Sequence, residues 1–244
     1  MKIIELASYP KCGNTWLRHL LSKHFELNIH NDIPDFHQRH GETKDYIKEV
    51  EVDGEKFGFY KSHIPNIRSI NPDEIVVIYR HPLDVFLSSL NYFYINGWKE
   101  KYLNENIQTV ESLKESGELD YYFEQFMNEM GLGYFDGLLG DMSNYFRYLD
   151  SVSQLDNATM LMYEKLYDDR NRIFDATFSE VLGVPFKSSE NLFGDVDKRT
   201  KNSGNNFYWK STKKNYENFL SEEQIERFYS KYSEKLNKYG FSGK

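Results

Sequence analysis

The sequence lacks the features that mark secreted and membrane proteins. It contains a single cysteine, Cys12, which excludes an internal disulfide and fits a reducing compartment. No apolar run approaches the ~18 residues that a membrane span requires. The first residues include Glu5 where a signal peptide would continue its apolar run. The sequence therefore predicts a cytoplasmic protein without a membrane partner.

A positive net charge is also absent. The formal net charge is −8, which argues against nucleic acid as a partner because phosphate backbones favour basic surfaces. An anionic ligand must then be held locally by clustered basic side chains. The candidates are Lys11, Lys61, Arg80 and the basic residues between Lys198 and Lys214. This last run equally fits a solvated loop or helix face.

Apolar runs alternate with segments of helical spacing. Strands are predicted at 3–8, 57–61, 74–79 and 158–163, and helices at 17–25, 82–94 and 173–182. This alternation predicts an α/β fold with a central parallel sheet flanked by helices, in which ligands bind at the carboxyl ends of the strands. The length fits one domain over 1–244. Within it, 97–148 is predicted to be an insertion of helical pieces that forms a lid or an acceptor pocket.

The segment Tyr9 to Leu17, with the sequence YPKCGNTWL, joins the first strand to the first helix. Backbone N–H groups converge at such a junction, where a phosphate can bind. Lys11 adds a charge and Thr15 a hydroxyl. The segment is not a Walker A loop, which requires a second glycine and a lysine just before the Ser/Thr, so an ATPase or kinase is disfavoured. A tight turn with an exposed lysine is the alternative interpretation.

The pattern P-K-x-G-x-T-W-L that starts at Pro10 resembles the phosphosulfate loop of sulfotransferases. These enzymes use 3′-phosphoadenosine 5′-phosphosulfate (PAPS) and release 3′-phosphoadenosine 5′-phosphate (PAP). A second match, R-x-P-x-D-V-x-x-S, starts at Arg80 and ends at Ser88. The resemblance implies that Arg80 and Ser88 bind the 3′-phosphate, and an arginine offers a phosphate a bidentate fork. Without the resemblance, Arg80 could be a surface ion-pair partner.

The sequence Lys61-Ser62-His63 resembles the family's K-[TS]-H segment. The resemblance implies that His63 is the general base. A hydroxyl acceptor is a poor nucleophile at neutral pH, and the unperturbed pKa of histidine, about 6.5, suits removal of its proton. Lys11 would stabilise the bridging oxygen as it leaves, and Lys61 the transferring group.

Tyr163-Glu164 resembles the family's Y-E-D segment. The resemblance implies that Tyr163 hydrogen-bonds the adenine and that Trp16 stacks on it, although both aromatics could instead be core residues. The residues implied to line the cofactor through the phosphate loop are Lys11, Cys12, Gly13, Asn14, Thr15 and Trp16. Asn14 replaces the commoner threonine, which changes the hydrogen bonding at that position.

The C-terminal region 215–228 looks like a further family segment, but the R-K-G expected ahead of it is not in register. Lys210 is the candidate replacement as a 3′-phosphate ligand, with Arg199 and Lys201 as rivals. The resemblance implies a P-loop-NTPase-like architecture and sulfuryl transfer to a hydroxyl or amine of a small-molecule acceptor. Segments 30–56 and 97–148 leave the acceptor open, and the oligomeric state is also undetermined.

Three other functions fit parts of the sequence less well. The C-x5-R pattern from Cys12 to Arg18 resembles low-molecular-weight tyrosine phosphatases, in which a thiolate attacks phosphorus, but it leaves no role for Arg80 or Ser88. A non-catalytic nucleotide binder is disfavoured because a lysine and a histidine both fit catalytic roles. A metal site at His37-x-x-His40 fits chance spacing, and no metal is predicted.

Overall fold

The computed structural model describes residues 1–36, 46–65, 70–201 and 212–241, apart from the side chains of Tyr134, Arg199 and Lys201. In chain order the elements are β1 (Lys2–Ala7), α1 (Asn14–His24), β2 (Glu49–Val52), β3 (Glu55–Ser62), β4 (Glu74–Tyr79), α2 (Pro82–Ser89), α3 (Lys99–Tyr102), α4 (Val110–Glu115), α5 (Glu118–Glu129), α6 (Tyr134–Leu139), α7 (Tyr145–Val152), β5 (Ala158–Met162), α8 (Tyr163–Asp168), α9 (Arg170–Leu182), α10 (Leu192–Lys201) and α11 (Glu222–Lys238). A π-helical turn covers Leu90–Ile95, and 3₁₀ turns cover Gly140–Met142 and Asn215–Asn218.

The chain forms two compact units. The first comprises residues 1–80 and 149–205, and the second comprises 81–148 and 206–244. The whole sheet belongs to the first unit. That 1–244 acts as one functional domain remains a prediction.

The five strands lie in the order β2-β3-β1-β4-β5, and all neighbours are parallel except β2 and β3. The predicted α/β fold with a central parallel sheet is therefore confirmed, except that the edge strand β2 is antiparallel. The chain leaves β1 and adds β3 on one side and β4 on the other, so the loop after β1 lies at the topological switch point of the sheet. Such points are where open α/β sheets bind ligands.

Apolar runs in the sequence mark the inner strands of the sheet. In β4, Ile75 to Tyr79 are all buried, as expected for a parallel strand covered on both faces. The predicted strand at 74–79 coincides with β4. Helix α1 buries Leu17, Leu20 and Leu21, the residues whose spacing predicted it.

The edge strand β2 was not predicted from the sequence. It pairs with β3 through a hairpin at Asp53-Gly54, where both residues have positive φ, 49° and 80°. Asp-Gly suits the two-residue hairpin turn that needs this backbone. The strand itself, Glu49–Val52, alternates exposed and half-buried residues, so it carries no apolar run to reveal it.

The second unit is helical in its described part. Helix α5 buries Leu119, Tyr122, Phe123 and Phe126 on one side. The prediction of helical pieces between 97 and 148 is confirmed, whereas their role as a lid remains a prediction. Across the described ranges, no helix has the length and apolar character that spanning a membrane would require.

Candidate active site

Four segments meet at the carboxyl edge of the sheet in the first unit. Ala7 at the end of β1 is in register with Ser62 of β3 and Val77 of β4, and Tyr79 of β4 is in register with Met162 of β5. The residues that follow these strands therefore emerge along one edge. They are Ser8, His63, Arg80 and Tyr163.

The loop after β1 has the backbone of an anion cradle. Lys11 and Gly13 have positive φ, 69° and 103°, and the N–H of Cys12 donates to the carbonyl of Tyr9 at 3.3 Å. Helix α1 starts at Asn14, so its first N–H groups lack intrahelical partners. A Cβ on Gly13 would lie 3.0 Å from the ring of Tyr163, so only glycine combines this φ with this packing.

Asn14 links the loop to two strands. Its side-chain amide donates to the carbonyl of Leu6 in β1 at 2.8 Å and to that of Ser62 in β3 at 3.4 Å. The side chain thus faces the sheet. Within the described residues, Asn14 Oδ1 and Ser8 Oγ are buried without a hydrogen-bond partner. The buried Ser8 hydroxyl beside this loop can donate a hydrogen bond to an anionic ligand.

Three basic side chains lie close together at this loop: Lys11, Lys61 and Arg80. Burial, the charge of Arg80 and the charge of Lys61 together lower the pKa of Lys11 from 10.5 to about 7. Lys61 and Arg80 are themselves buried, 4% and 7% exposed. Buried like charges are costly unless a counter-ion compensates them. The arrangement therefore favours a multiply charged anion.

His63 lies next to Lys61 with its ring fixed at both nitrogens. Its Nδ1 is 2.8 Å from the carbonyl oxygen of Ser8, and its Nε2 is 3.1 Å from Lys61 Nζ. A carbonyl only accepts hydrogen bonds and an ammonium only donates them, so this geometry assigns the proton to Nδ1 and a lone pair to Nε2. A neutral imidazole with a defined lone pair can serve as a base.

Two acidic residues of this region were missed in the sequence. Asp35 lies 2.6 Å from Lys61 Nζ, and Glu5 accepts hydrogen bonds from Tyr60 at 2.8 Å and from Ser62. Asp35 belongs to an irregular segment with no periodic pattern, and Glu5 sits within an apolar strand. Spacing signals neither residue, although a glutamate inside a buried strand is itself unusual.

An aromatic and cationic cluster follows β4 and β5. The Arg80 guanidinium lies 4.7 Å from the ring centroid of Tyr163, and the Trp16 ring centroid is 5.6 Å from that of Tyr163. Burial, countered in part by Arg80, raises the pKa of Tyr163 to about 12, so its hydroxyl stays protonated. The Trp16 indole N–H donates to Asp197 at 3.1 Å, and Phe193 packs 5.6 Å from the indole. Neither of these last two residues was anticipated.

A family model described as a sulfotransferase domain matches residues 3–240. The chain belongs to the sulfotransferase family. Human Sulfotransferase 6B1 is 25% identical over 181 residues, which cover 68% of this chain and 50% of that protein. The match therefore spans about half the length of this curated relative.

Solved sulfotransferase-type structures share the fold at low identity. Mouse sulfotransferase SULT7A1, solved in complex with PAP, has a TM-score of 0.61 and 14% identity, covering 99% of this chain and 89% of that one. A retinol dehydratase, solved in complex with retinol and PAP, has a TM-score of 0.60 and 16% identity, covering 97% and 82%. These likenesses confirm the predicted sulfotransferase architecture.

The structure describes only some of the other candidate residues. Ser88 is a buried residue of α2, in the second unit. Lys210, His37 and His40 lie outside the described residues. Arg199 and Lys201 end α10, but their side chains are not among those described. Which of the basic residues completes a 3′-phosphate site stays a prediction.

The phosphatase interpretation does not fit this member of the family. Its arginine would have to surround the phosphate, but the Arg18 guanidinium donates to the carbonyls of Ile29 and Ile33 at 2.7 and 2.5 Å. The side chain is thus committed to the segment after α1. Cys12 is fully buried, which does not suit a nucleophile that must meet substrate.

Proposed function

We propose that this chain transfers the sulfuryl group of PAPS to a hydroxyl or amine of a small-molecule acceptor. Membership of the sulfotransferase family supports the reaction type. The observation that carries the proposal is the grouping of Lys11, Lys61 and Arg80 beside a phosphate-loop backbone, with the lone pair of His63 within reach of Lys61. The SULT7A1 and retinol dehydratase structures were solved with PAP, which supports PAPS as the sulfuryl donor.

The first unit fits a phosphosulfate-bearing nucleotide. The loop from Lys11 to Thr15 would hold the 5′-phosphosulfate through backbone N–H groups and the Lys11 ammonium. Arg80 would contact the 3′-phosphate, and Trp16 and Tyr163 the adenine. Cys12 and Asn14 would contribute backbone groups, since the cysteine is buried and the asparagine side chain faces the sheet. The roles of Ser88 and Lys210 rest on the resemblance alone.

His63 would act as the general base. When bound, PAPS supplies an electrophilic sulfuryl group. The hydrogen bond to Ser8 keeps the proton on Nδ1, so Nε2 takes the proton from the acceptor hydroxyl. Lys61 donates to Nε2 in the structure. The acceptor must therefore displace that hydrogen bond before its proton can be transferred.

Lys61 and Lys11 would supply charge stabilisation. An ammonium has three donors. Lys61 can keep its ion pair with Asp35 while another N–H turns from His63 to a sulfuryl oxygen. Lys11 would stabilise the charge that develops on the phosphate as the bridging bond breaks. Such groups are effective because they are oriented before the ligand arrives.

The acceptor is proposed only as a class. The retinol dehydratase structures contain retinol or androsterone, both small alcohols. An amine stays an alternative acceptor for this chain. A panel of phenols, aliphatic alcohols and amines, assayed with radiolabelled PAPS, would rank these classes by kcat/KM.

Calorimetry of PAP binding tests the proposal first, with ATP and inorganic phosphate as comparison ligands. The wild type and Cys12→Ala should bind PAP with equal affinity, and PAP should bind far more tightly than ATP. His63→Ala should keep PAP binding and lose at least ~100-fold in kcat. Absence of PAP binding contradicts the proposal, and phosphate binding that requires Cys12 would restore the phosphatase.

A further inference from the structure

Asp35 is placed opposite Lys61 by the backbone. The N–H of Lys61 donates to the carbonyl of Pro34 at 2.8 Å, and the N–H of Phe36 donates to the carbonyl of Lys61 at 3.0 Å. The segment around Asp35 thus extends the sheet beside the end of β3 as a parallel bridge. Phe36 anchors it by packing in the core, with its ring 5.0 Å from that of Tyr60. The position of the carboxylate is consequently fixed.

The Asp35 carboxylate lies between two buried cations. It is 2.6 Å from Lys61 Nζ and 3.8 Å from the Arg18 guanidinium. All three residues are less than 9% exposed. Buried ions need close counter-ions and hydrogen bonds to be tolerated. Arg18 also donates to the backbone at Ile29 and Ile33, so it fixes the segment that presents Asp35.

The network runs on from Lys61 to the proposed base. Lys61 Nζ donates to Asp35 and to His63 Nε2, and His63 Nδ1 donates to Ser8. One buried lysine thus joins a carboxylate to the imidazole. The carboxylate takes one of its three N–H donors, which limits the directions in which the other two can point.

No other described carboxylate occupies this face beside Lys61. Lys61 is in register with Leu6, whereas Glu5 is in register with Tyr60 and so lies on the opposite face of the sheet, bonded to Tyr60 and Ser62. Among the residues that the structure describes, the other charged or titratable neighbours are Arg18 from α1, Lys11 from the loop after β1 and His63.

We propose that Asp35 is a positioning residue for sulfuryl transfer, holding the Lys61 ammonium charged and in place beside His63. This inference rests on the proposed function for its kinetic consequence, but the pairing of Asp35 with Lys61 can be tested on the protein without nucleotide. Asp35 would not touch the donor or the acceptor. It acts only through Lys61.

The electrostatics of Lys61 agree with this role. Burial lowers the pKa of Lys61, the Asp35 charge and hydrogen bond raise it, and Arg18 lowers it. Without the Asp35 charge, only the lowering influences among these would persist. Lys61 would then lose its proton at a lower pH, and the alkaline limb of the kcat profile would move with it.

Lysine side-chain NMR on the ligand-free protein tests this directly, with [ε-¹³C]lysine and assignment by Lys61→Arg. In Asp35→Asn, the pKa of Lys61 should fall by about one pH unit or more. The matched control is Asp32→Asn, on the same segment, because Asp32 pairs with the exposed Lys48. That variant should leave the Lys61 titration unchanged. An unchanged Lys61 pKa in Asp35→Asn overturns the proposal, whether or not the protein transfers sulfate.

Kinetics provide the second readout once the wild type shows turnover with PAPS and an acceptor. Asp35→Asn should lose about 10–100-fold in kcat at pH 8, and less at lower pH, with PAP affinity within about threefold of the wild type. Parallel losses in kcat and PAP affinity, independent of pH, would indicate a merely structural role and overturn the proposal. Failure of the wild type to bind PAP or turn over would instead count against the proposed function.

Asp35→Glu keeps the test decisive if Asp35→Asn does not fold. It retains the charge but moves it by one methylene. The Lys61 titration and the alkaline limb should stay near the wild-type values, whereas kcat should fall about fivefold or more because the ammonium is displaced. A wild-type kcat in this variant, or a shifted Lys61 titration, would contradict positioning by Asp35.

Discussion

Binding of PAP should be accompanied by proton uptake at Lys11. The pKa of Lys11 is lowered to about 7 by burial, by Arg80 and by Lys61. A multiply charged anion at the loop would supply the missing counter-charge and return this pKa toward the usual value of about 10.4. Lys11 is then largely neutral before binding and charged afterwards at mildly alkaline pH.

The magnitude follows from the titration of one group. At pH 8, a lysine with a pKa near 7 is only about one-tenth protonated, so formation of the complex should take up about 0.9 proton. Between pH 7.5 and pH 9, the dissociation constant for PAP should rise about 25-fold. Phosphate ionisation, with a pKa near 6, contributes little over this range.

Calorimetry in buffers of different ionisation enthalpy measures the uptake. Lys11→Arg is the matched variant, since arginine stays charged throughout this pH range. It should bind PAP without proton uptake and with an affinity that is nearly independent of pH. An uptake below about 0.3 proton at pH 8 in the wild type, or an equal uptake in Lys11→Arg, would refute the reasoning.

Three further predictions concern the same unit. Lys11→Met should abolish PAP binding and should stabilise the protein without nucleotide by about 1–3 kcal/mol at pH 6–7, because a lysine with a lowered folded-state pKa destabilises the fold most strongly below that pKa. The penalty fades as the pH approaches the unfolded-state pKa of about 10.4, so thermal melts at pH 6.5 and pH 10 should show the gain and its loss. Gly13→Ala should lower the free energy of unfolding by about 1–3 kcal/mol and remove most of the PAP affinity, because φ is 103° and the new methyl group meets Tyr163. An unchanged midpoint of chemical denaturation would disprove this. Asp197→Ala should weaken PAP binding about 5–20-fold with kcat nearly unchanged, because the Trp16 indole N–H loses its hydrogen-bond acceptor. Tryptophan fluorescence during the PAP titration would report the less restrained ring.

The sequence predicted the elements whose apolar pattern is strong. The run at 74–79 became β4 because Ile75 to Tyr79 are all buried, so their apolar composition alone identifies the strand. The charged edge strand β2 buries little and was missed, although the Asp-Gly turn at Asp53 and Gly54 was a usable signal.

The residues of the candidate site also differ in whether the sequence predicts them. Lys11, His63 and Arg80 lie in short segments directly after strands, where local spacing carries information, and the sheet brings them to one edge. Asp35 and Asp197 act over long sequence separations, 26 residues to Lys61 and 181 residues to Trp16. Their contacts arise from the tertiary fold, which no local pattern encodes.

The two hydrogen bonds of Asn14 connect the loop after β1 rigidly to the strand that precedes the proposed base. The side chain starts in the first turn of α1 and holds the main chain of both Leu6 and Ser62, the residue before His63. A displacement of the loop is thereby transmitted to the imidazole. Substitutions that change the acceptor specificity should therefore lie in other segments, because a substitution near Asn14 would disturb the proposed donor site and the proposed base together.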